Sequence, residues 1–352
     1  MADPIVLHAV TDRATGRNPT PEERFLDWLI EEHAVLLNTI EEGTLDEIRA
    51  VMSEVLEVME ERAKVVMQSS QDRLSAGIAQ AQQLYRQALM QAERAIVVGQ
   101  ETAAREQADM LRRAFTTDQA PGIEAVGVTD WMTLSPAQLA QVADTEYFGW
   151  STFQWTEAYS LEDGLKIDRE LRASYLAGES IDDAVRRLER VTEAGRAKLE
   201  TTARTAIQTA SNQAAAESYR RNADVLDGVR WLATLDDRTC PQCGPLDGEV
   251  MDSQRPRLVP PLHPNCRCVL APHVELPGLK TAPTWSEWIT GEFGGLSERE
   301  VEQRQRRVLG STVAGLLDSG ALRPSDLVRE DGSRRSVTDL KRMANRRKAK
   351  AA

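Results

Sequence analysis

All four cysteines of this 352-residue chain lie between positions 240 and 268, a clustering that restricts the local fold more than any other feature. Cys240 and Cys243 have the two-residue spacing that lets a pair of thiolates turn toward one ion, and Pro241 and Gly244 supply the turn chemistry. The second half of the cluster offers His263, Cys266 and Cys268 for the two remaining tetrahedral positions. Cys266 and Cys268, two apart, share a face of an extended segment, whereas His263 with either one closes a Cys3His site. Both sets stay open, so the expected site is structural zinc held by Cys240, Cys243, His263 and one or both of Cys266 and Cys268. Between the halves, Leu246 to Val250 reads as a hairpin, because Asp247-Gly248 suits positive φ between apolar flanks. Disulfides fit less well, since no secretory leader is seen and a reducing compartment favours thiolates. A thioredoxin-like site needs a helix after its cysteine pair, and Pro245 and Asp247-Gly248 follow too soon. A zinc deaminase would need an upstream H-x-E, which this segment lacks.

The rest of the chain reads as helix. Aromatic residues make up only 5% and hydrophobic residues 41%, enough for a sizeable core in a mainly α protein. No run of 18 uncharged apolar residues occurs, so no membrane-spanning helix is expected. Residues 1–20 have no sustained period and read as an N-terminal arm. Residues 21–115 form an acidic helical region. Its first apolar stripe, Phe25 to Ile40, is expected to end at Gly43; a second helix carries Leu45, Ile48, Met52, Val55 and Met59; a third runs from Arg73 to Phe115. His33, with no second ligand at helical spacing, is read as structural. Residues 116–135, with Pro121-Gly122, form a linker, and 136–228 a helical domain. That domain opens with Ser135 as N-cap and Pro136 at the first helical position of a helix toward Ser160. The aromatic group Trp150, Phe153, Trp155 and Tyr159 has no Lys or Arg between Pro136 and Asp163; base stacking needs cations beside the rings, so these side chains are expected in the core. Gly178 ends one helix, Ser180 caps the next, and an Ala/Thr-rich helix from Ala197 to Arg221 leads into a strand from Val229 to Leu235. The Cys/His module spans 229–276, a helical extension 277–340 with one pattern from Leu296 to Leu317, and a basic tail 341–352. The fold class is thus mainly α: a helical N-terminal bundle, a small α+β zinc-ribbon-like module, and a helical, basic C-terminal end.

Charge is polarised along the chain. Residues 22–61 hold 13 acids against two arginines, a balance of −11, and residues 303–352 hold 13 basic residues against five acids, a balance of +8. The acidic head should dock on a basic protein surface. The tail, with six cations from Lys341 to Lys350, should be mobile when unbound and touch DNA with affinity falling as roughly the fifth power of salt.

Asp237-Arg238-Thr239-Cys240-Pro241-Gln242-Cys243, Leu246-Asp247-Gly248 and Pro260-Pro261-Leu262-His263-Pro264-Asn265-Cys266-Arg267-Cys268, in that order and spacing, resemble the signature of the phage Mu F-like minor head proteins, also called phage head morphogenesis proteins. The likeness covers about Gly178 to Leu340. It departs at Ala206, where the family commonly carries an acid after Arg-Thr. The resemblance implies a low-copy virion protein inside the phage head near the portal vertex, in the host cytoplasm during assembly. Portal protein and capsid protein would be its partners, packaged DNA a contact for the tail, and DNA packaging or ejection the process it assists. A zinc-ribbon nucleic-acid-binding adaptor is the alternative. No phosphate-binding loop, serine-hydrolase elbow, H-E-x-x-H or dinucleotide fingerprint occurs, and Glu249 is the sole acid placed to serve as a base, so no catalytic role is expected.

Overall fold

The computed structural model describes residues 21–116, 120–121, 130–233, 239–274, 284–292 and 296–351. The expected arm, most of the expected linker and the end of the expected strand beyond Ala233 lie outside these residues. Among the described residues the chain is mainly helical, with one small three-stranded antiparallel sheet.

Two long helices, α1 (Pro21–Met67) and α2 (Gln71–Thr116), form an antiparallel pair. The stripes expected to be two helices are one, since α1 runs through Gly43 without a break. An exposed glycine inside a helix costs about 1 kcal/mol, less than keeping Leu37, Leu45 and Ile48 buried on one continuous face contributes. A short α3 (Pro136–Ala143) has the full capping box on Ser135 and Gln138 but stops well before Ser160. A turn intervenes in which Phe148 and Gly149 both take positive φ and Tyr147 bridges Trp150. Ser151 then caps α4 (Thr152–Ala177), which Gly178 ends in the left-handed conformation. This turn overturns the core reading of the aromatic group in part. Trp155 and Tyr159 pack against the bundle, while Trp150 and Phe153 are 42% and 56% exposed.

The helix from Ser180 and the Ala/Thr-rich helix are also one element, α5 (Ile181–Arg221), capped by Ser180. It is the spine of the molecule, packing on α1, α2, α3 and α4. Ala203, Ala206, Ala210 and Ala214 are fully buried along it, and their small side chains let neighbouring backbones approach. One core lies at the far end of the bundle, around Ile48, Met59, Ile78, Tyr85 and Leu199. Another joins the near end to the sheet through an aromatic row in which Phe115 stacks on Trp131 at 4.1 Å and contacts Phe25, while Trp131 meets Tyr219 edge-on.

The sheet has strand order β2-β1-β3, from β1 (Gly228–Leu232), β2 (Val250–Met251) and β3 (Val269–His273). Every residue of β1 is buried. The expected local hairpin at Asp247-Gly248 does not form: Gly248 does take φ 81°, but Gly244–Leu246 is a 3-10 turn, and the partner of β2 is β1. After the sheet, α6 (Trp285–Thr290), α7 (Glu298–Leu309), α8 (Ser311–Asp318) and α9 (Val337–Ala351) gather around a third core. Gly310, at φ 79°, splits the expected Leu296–Leu317 helix into α7 and α8. The tail expected to be mobile is instead helical and docked, with Leu340 and Ala344 buried and Arg347 paired with Asp326. Leu340 and Ala344, one helical turn apart, share the face that meets the third core, with Met343 packed beside them.

Candidate metal centre

The long connection from β1 through β2 to β3 returns on itself so that the sequence-predicted donors converge. Cys240 and Cys243 sit on a tight turn closed by Gly244 N–H donating to the Cys240 carbonyl (3.0 Å), and the Cys243 N–H donates to the Cys240 sulfur (3.3 Å). Only glycine fits at 244, since a Cβ there would stand 2.3 Å from the ring of Trp285. His263 to Cys266 form a second turn, with Cys266 N–H donating to the His263 carbonyl (3.2 Å) and Asn265 at φ 56°. The Asn265 N–H donates to Thr205 Oγ1 on α5, which ties this turn to the bundle.

His263 Nε2 lies 3.1 Å from Cys240 Sγ and 3.2 Å from Cys243 Sγ, and the sulfurs of Cys243 and Cys266 are 3.7 Å apart. The donor atoms fall into two overlapping triplets, Cys240-Cys243-His263 and Cys243-Cys266-Cys268, each within 4.8 Å, with Cys243 common to both. Two thiolates bound tetrahedrally to one zinc at ~2.3 Å stand about 3.8 Å apart, close to the Cys243–Cys266 separation. His263 Nδ1 is 2.9 Å from the Pro264 carbonyl. A carbonyl only accepts, so Nδ1 carries the hydrogen in the neutral ring and Nε2 is left with its lone pair among the sulfurs. The group can therefore hold a metal ion, and its thiolate and imidazole donors are those that zinc takes.

Proton affinities within the cluster are strongly split. Cys240 is held down to about 4 by the hydrogen bond from Cys243 and then by His263, against burial. His263 is pushed up to about 11 by its hydrogen bonds to Cys240 and Cys266. Cys266 is held low by hydrogen bonds from Cys243 and Cys268, and Cys243 is pushed up because Cys240 and Cys266 both accept from it. In a space this small, full deprotonation of the sulfurs requires a cation to balance them.

Several residues that shape the site carry no motif of their own. Asp247 is buried and uses both carboxylate oxygens, accepting from Ala233 N–H (2.7 Å) and from Trp285 N–H (2.8 Å), and burial pushes it up to about 7. It joins the end of β1 to the start of α6. From α5, Gln208 and Asn212 donate to the Cys268 carbonyl (2.7 and 3.2 Å), Tyr219 donates to the Leu270 carbonyl, and Asn212 Oδ1 accepts from Leu270 N–H. These side chains act as a substitute strand along the outer edge of β3, which would otherwise expose unpaired backbone groups. Their polar types on a buried helix face are the signal that could have revealed them. Glu249, the sole candidate base, is instead ion-paired with Arg257 at 2.6 Å. Ala206 is fully buried within the bundle.

Residues 165–271 match the model of a family described as phage Mu protein F like protein. The resemblance carried by the cysteine signature is thereby shown. The matched stretch begins inside α4, upstream of Gly178, takes in all of α5, β1 and β2, and ends at Ala271 within β3; the segment from there to Leu340 is outside it. It amounts to about a third of the chain. No curated protein and no solved structure matches. Among the described residues no helix is long and apolar enough to cross a membrane.

Proposed function

We propose that this chain is a minor head-morphogenesis protein of a tailed bacteriophage, carried inside the head near the portal vertex, where it assists head assembly and DNA packaging or ejection. The observation that carries this reading is the family match on the very segment whose cysteines and histidine converge. Its role is structural and not catalytic. Cys240, Cys243 and His263, with Cys266 or Cys268, would hold a zinc ion. When bound, zinc supplies a crosslink between the turn after β1 and the approach to β3. The chain itself supplies the rest: Asp247 ties the module to α6, and α5 holds the edge of β3.

Charge supports the choice of partners. Glu42, Asp46, Glu47, Glu54 and Glu57 are exposed along α1, a surface that suits a basic face of the portal protein or of the capsid protein beside it. At the other end, Lys341, Arg346 and Lys348 stand exposed on α9, where they can meet packaged DNA. Mass spectrometry of purified particles tests the proposal: the protein is expected beside portal and capsid proteins. Its absence from virions would sink the reading and favour a zinc-ribbon nucleic-acid-binding adaptor.

A further inference from the structure

The turn between α3 and α4 presents aromatic rings to solvent. Phe148, Trp150 and Phe153 are 44%, 42% and 56% exposed; exposed apolar residues scattered singly are ordinary, but these share one turn and form a patch. The backbone is bent to place them there. Phe148 takes φ 55°, a conformation that suits asparagine or glycine and strains a phenylalanine. Tyr147 and Trp150 exchange both backbone hydrogen bonds (3.0 and 3.3 Å), and the Trp155 indole N–H donates to the Tyr147 carbonyl (3.3 Å). Trp155 also backs the Trp150 ring at 4.9 Å. The patch is therefore held in place before anything binds, which lowers the cost of binding.

A groove of about 230 Å³ between α2, the end of α3 and the start of α4 adjoins the patch, and Phe153 belongs to both. Glu93, Glu101 and Asp144 line it beside Val97, and no Lys or Arg does so among the described residues. Arg94 offsets Glu93 in part. Glu101, Asp144 and the neighbouring Glu146 are exposed and have no ion pair among the described residues. Such a surface repels the phosphates of nucleic acid and of anionic lipid and attracts a cationic partner.

The rings make the same selection. At the inner end of this aromatic row Lys198 Nζ stands 5.3 Å over Tyr159, whose ring is 6.1 Å from Trp155, and in the C-terminal part Arg304 lies 4.2 Å over Trp288. At the outer end no cation lies over Phe148 or Trp150 among the described residues. Arginine fits that end best, because its planar guanidinium stacks on a ring while its N–H groups reach a carboxylate. We propose that this turn and its groove dock an arginine-bearing segment of a partner protein, with guanidinium groups lying on the rings and paired with the carboxylates.

The test uses the full-length protein labelled with fluorotryptophan, in which the fluorine line of Trp150 is assigned from its absence in Trp150→Phe. The protein is titrated at physiological salt with a short peptide alternating arginine and alanine, and with its lysine and glutamine counterparts. The arginine peptide is expected to shift the Trp150 line saturably, the lysine peptide to bind more weakly, and the glutamine peptide to leave the line in place. Phe148→Asn removes a ring yet relieves the left-handed backbone, so it should weaken binding about ten-fold without lowering the midpoint of unfolding. Glu101→Gln combined with Glu146→Gln, both at exposed positions, should weaken binding to a similar degree. The proposal is overturned if no peptide moves the line, if the glutamine or lysine peptide binds as tightly as the arginine one, or if both variants bind as the parent does. A Trp150 line that moves with protein concentration alone would overturn it in favour of a second copy of this chain.

Discussion

Gly195→Ala sets two effects of opposite sign against each other. Gly195 lies inside α5, where alanine is the better helix former by about 1 kcal/mol. A Cβ at this position, however, would stand 2.0 Å from the Tyr85 hydroxyl and 3.1 Å from Asp163 Oδ2. Tyr85 is fully buried and donates to Asp163 Oδ2 at 3.0 Å, and Asp163, also fully buried, takes Lys166 and Lys198 on its other oxygen at 3.1 and 2.9 Å. The hydroxyl cannot retreat without leaving that carboxylate. Overpacking costs about 1–3 kcal/mol, and a lost hydrogen bond to a charged acceptor about 1.5–3 kcal/mol. Packing therefore wins, with a net loss of about 2–4 kcal/mol, read as a lower midpoint in urea unfolding followed by circular dichroism. The decisive measurement repeats the substitution in a Tyr85→Phe background. With the hydroxyl gone, the nearest ring carbon lies about where Tyr85 Cζ now stands, 3.3 Å from the new methyl, a contact a small shift relieves. The cost of the alanine should then shrink to near zero or become a small gain. A Gly195→Ala protein as stable as its parent, or an equal cost in both backgrounds, would refute the reasoning.

Elemental analysis of purified protein should find about one zinc per chain, lost in Cys240→Ser with a drop in stability of several kcal/mol; metal-free protein with oxidised cysteines would exclude the site. Serine placed separately at Cys266 and Cys268 assigns the fourth ligand, since Cys266 touches Cys243 directly and its loss should cost the metal first. His33, bonded to Gln107 at 2.6 Å, is pushed down to about 4 by burial. Folding therefore favours its neutral form, and its contribution of about 3 kcal/mol is present above pH ~6.5 and lost as pH falls toward 4. His33→Gln should flatten that slope, measured as the difference from the parent, because Asp247 and Glu41, pushed up to about 7 by burial, lose stability in the opposite direction as pH rises. Replacing Lys341, Arg346 and Lys348 with glutamine keeps Leu340 and Ala344 in place; it should reduce the dependence of DNA binding on salt by about three counterions, and unchanged slopes would remove DNA from the role of α9.

The parts of the fold that were legible in the sequence rest on local chemistry. The cysteine spacing, the capping residues Ser135 and Ser180 and the left-handed Gly178 report on neighbours a few positions away, and each sits where its chemistry requires. Continuity through Gly43 and Gly195 was not legible, because a glycine reads as a break until the packing that overrides it is known. The opposite error occurred at Phe148-Gly149. There the turn depends on a phenylalanine in a left-handed conformation, which no propensity favours. Asp247 illustrates the limit at the site: beside Gly248 it reads as a turn residue, and its two backbone partners lie 14 and 38 positions away.

The limits of the family match also follow from the geometry. The sheet has three strands with β1 in the centre, so a unit consisting only of the strands and the cysteine turns would leave the outer edge of β3 bare. Gln208, Asn212 and Tyr219 close that edge, and Thr205 fixes the turn at Asn265. All four are on α5, so the module cannot be completed without this helix. The same helix presents Leu199, Ala203 and Ala206 to the far core of the bundle, and its length gives α4 a surface to pack on. A matched stretch that starts within α4 and ends in β3 therefore holds the donors, the edge cover and the whole of the helix carrying it. It also means that disturbance at the cysteines is transmitted to the bundle through β3, whose backbone carbonyls α5 holds directly.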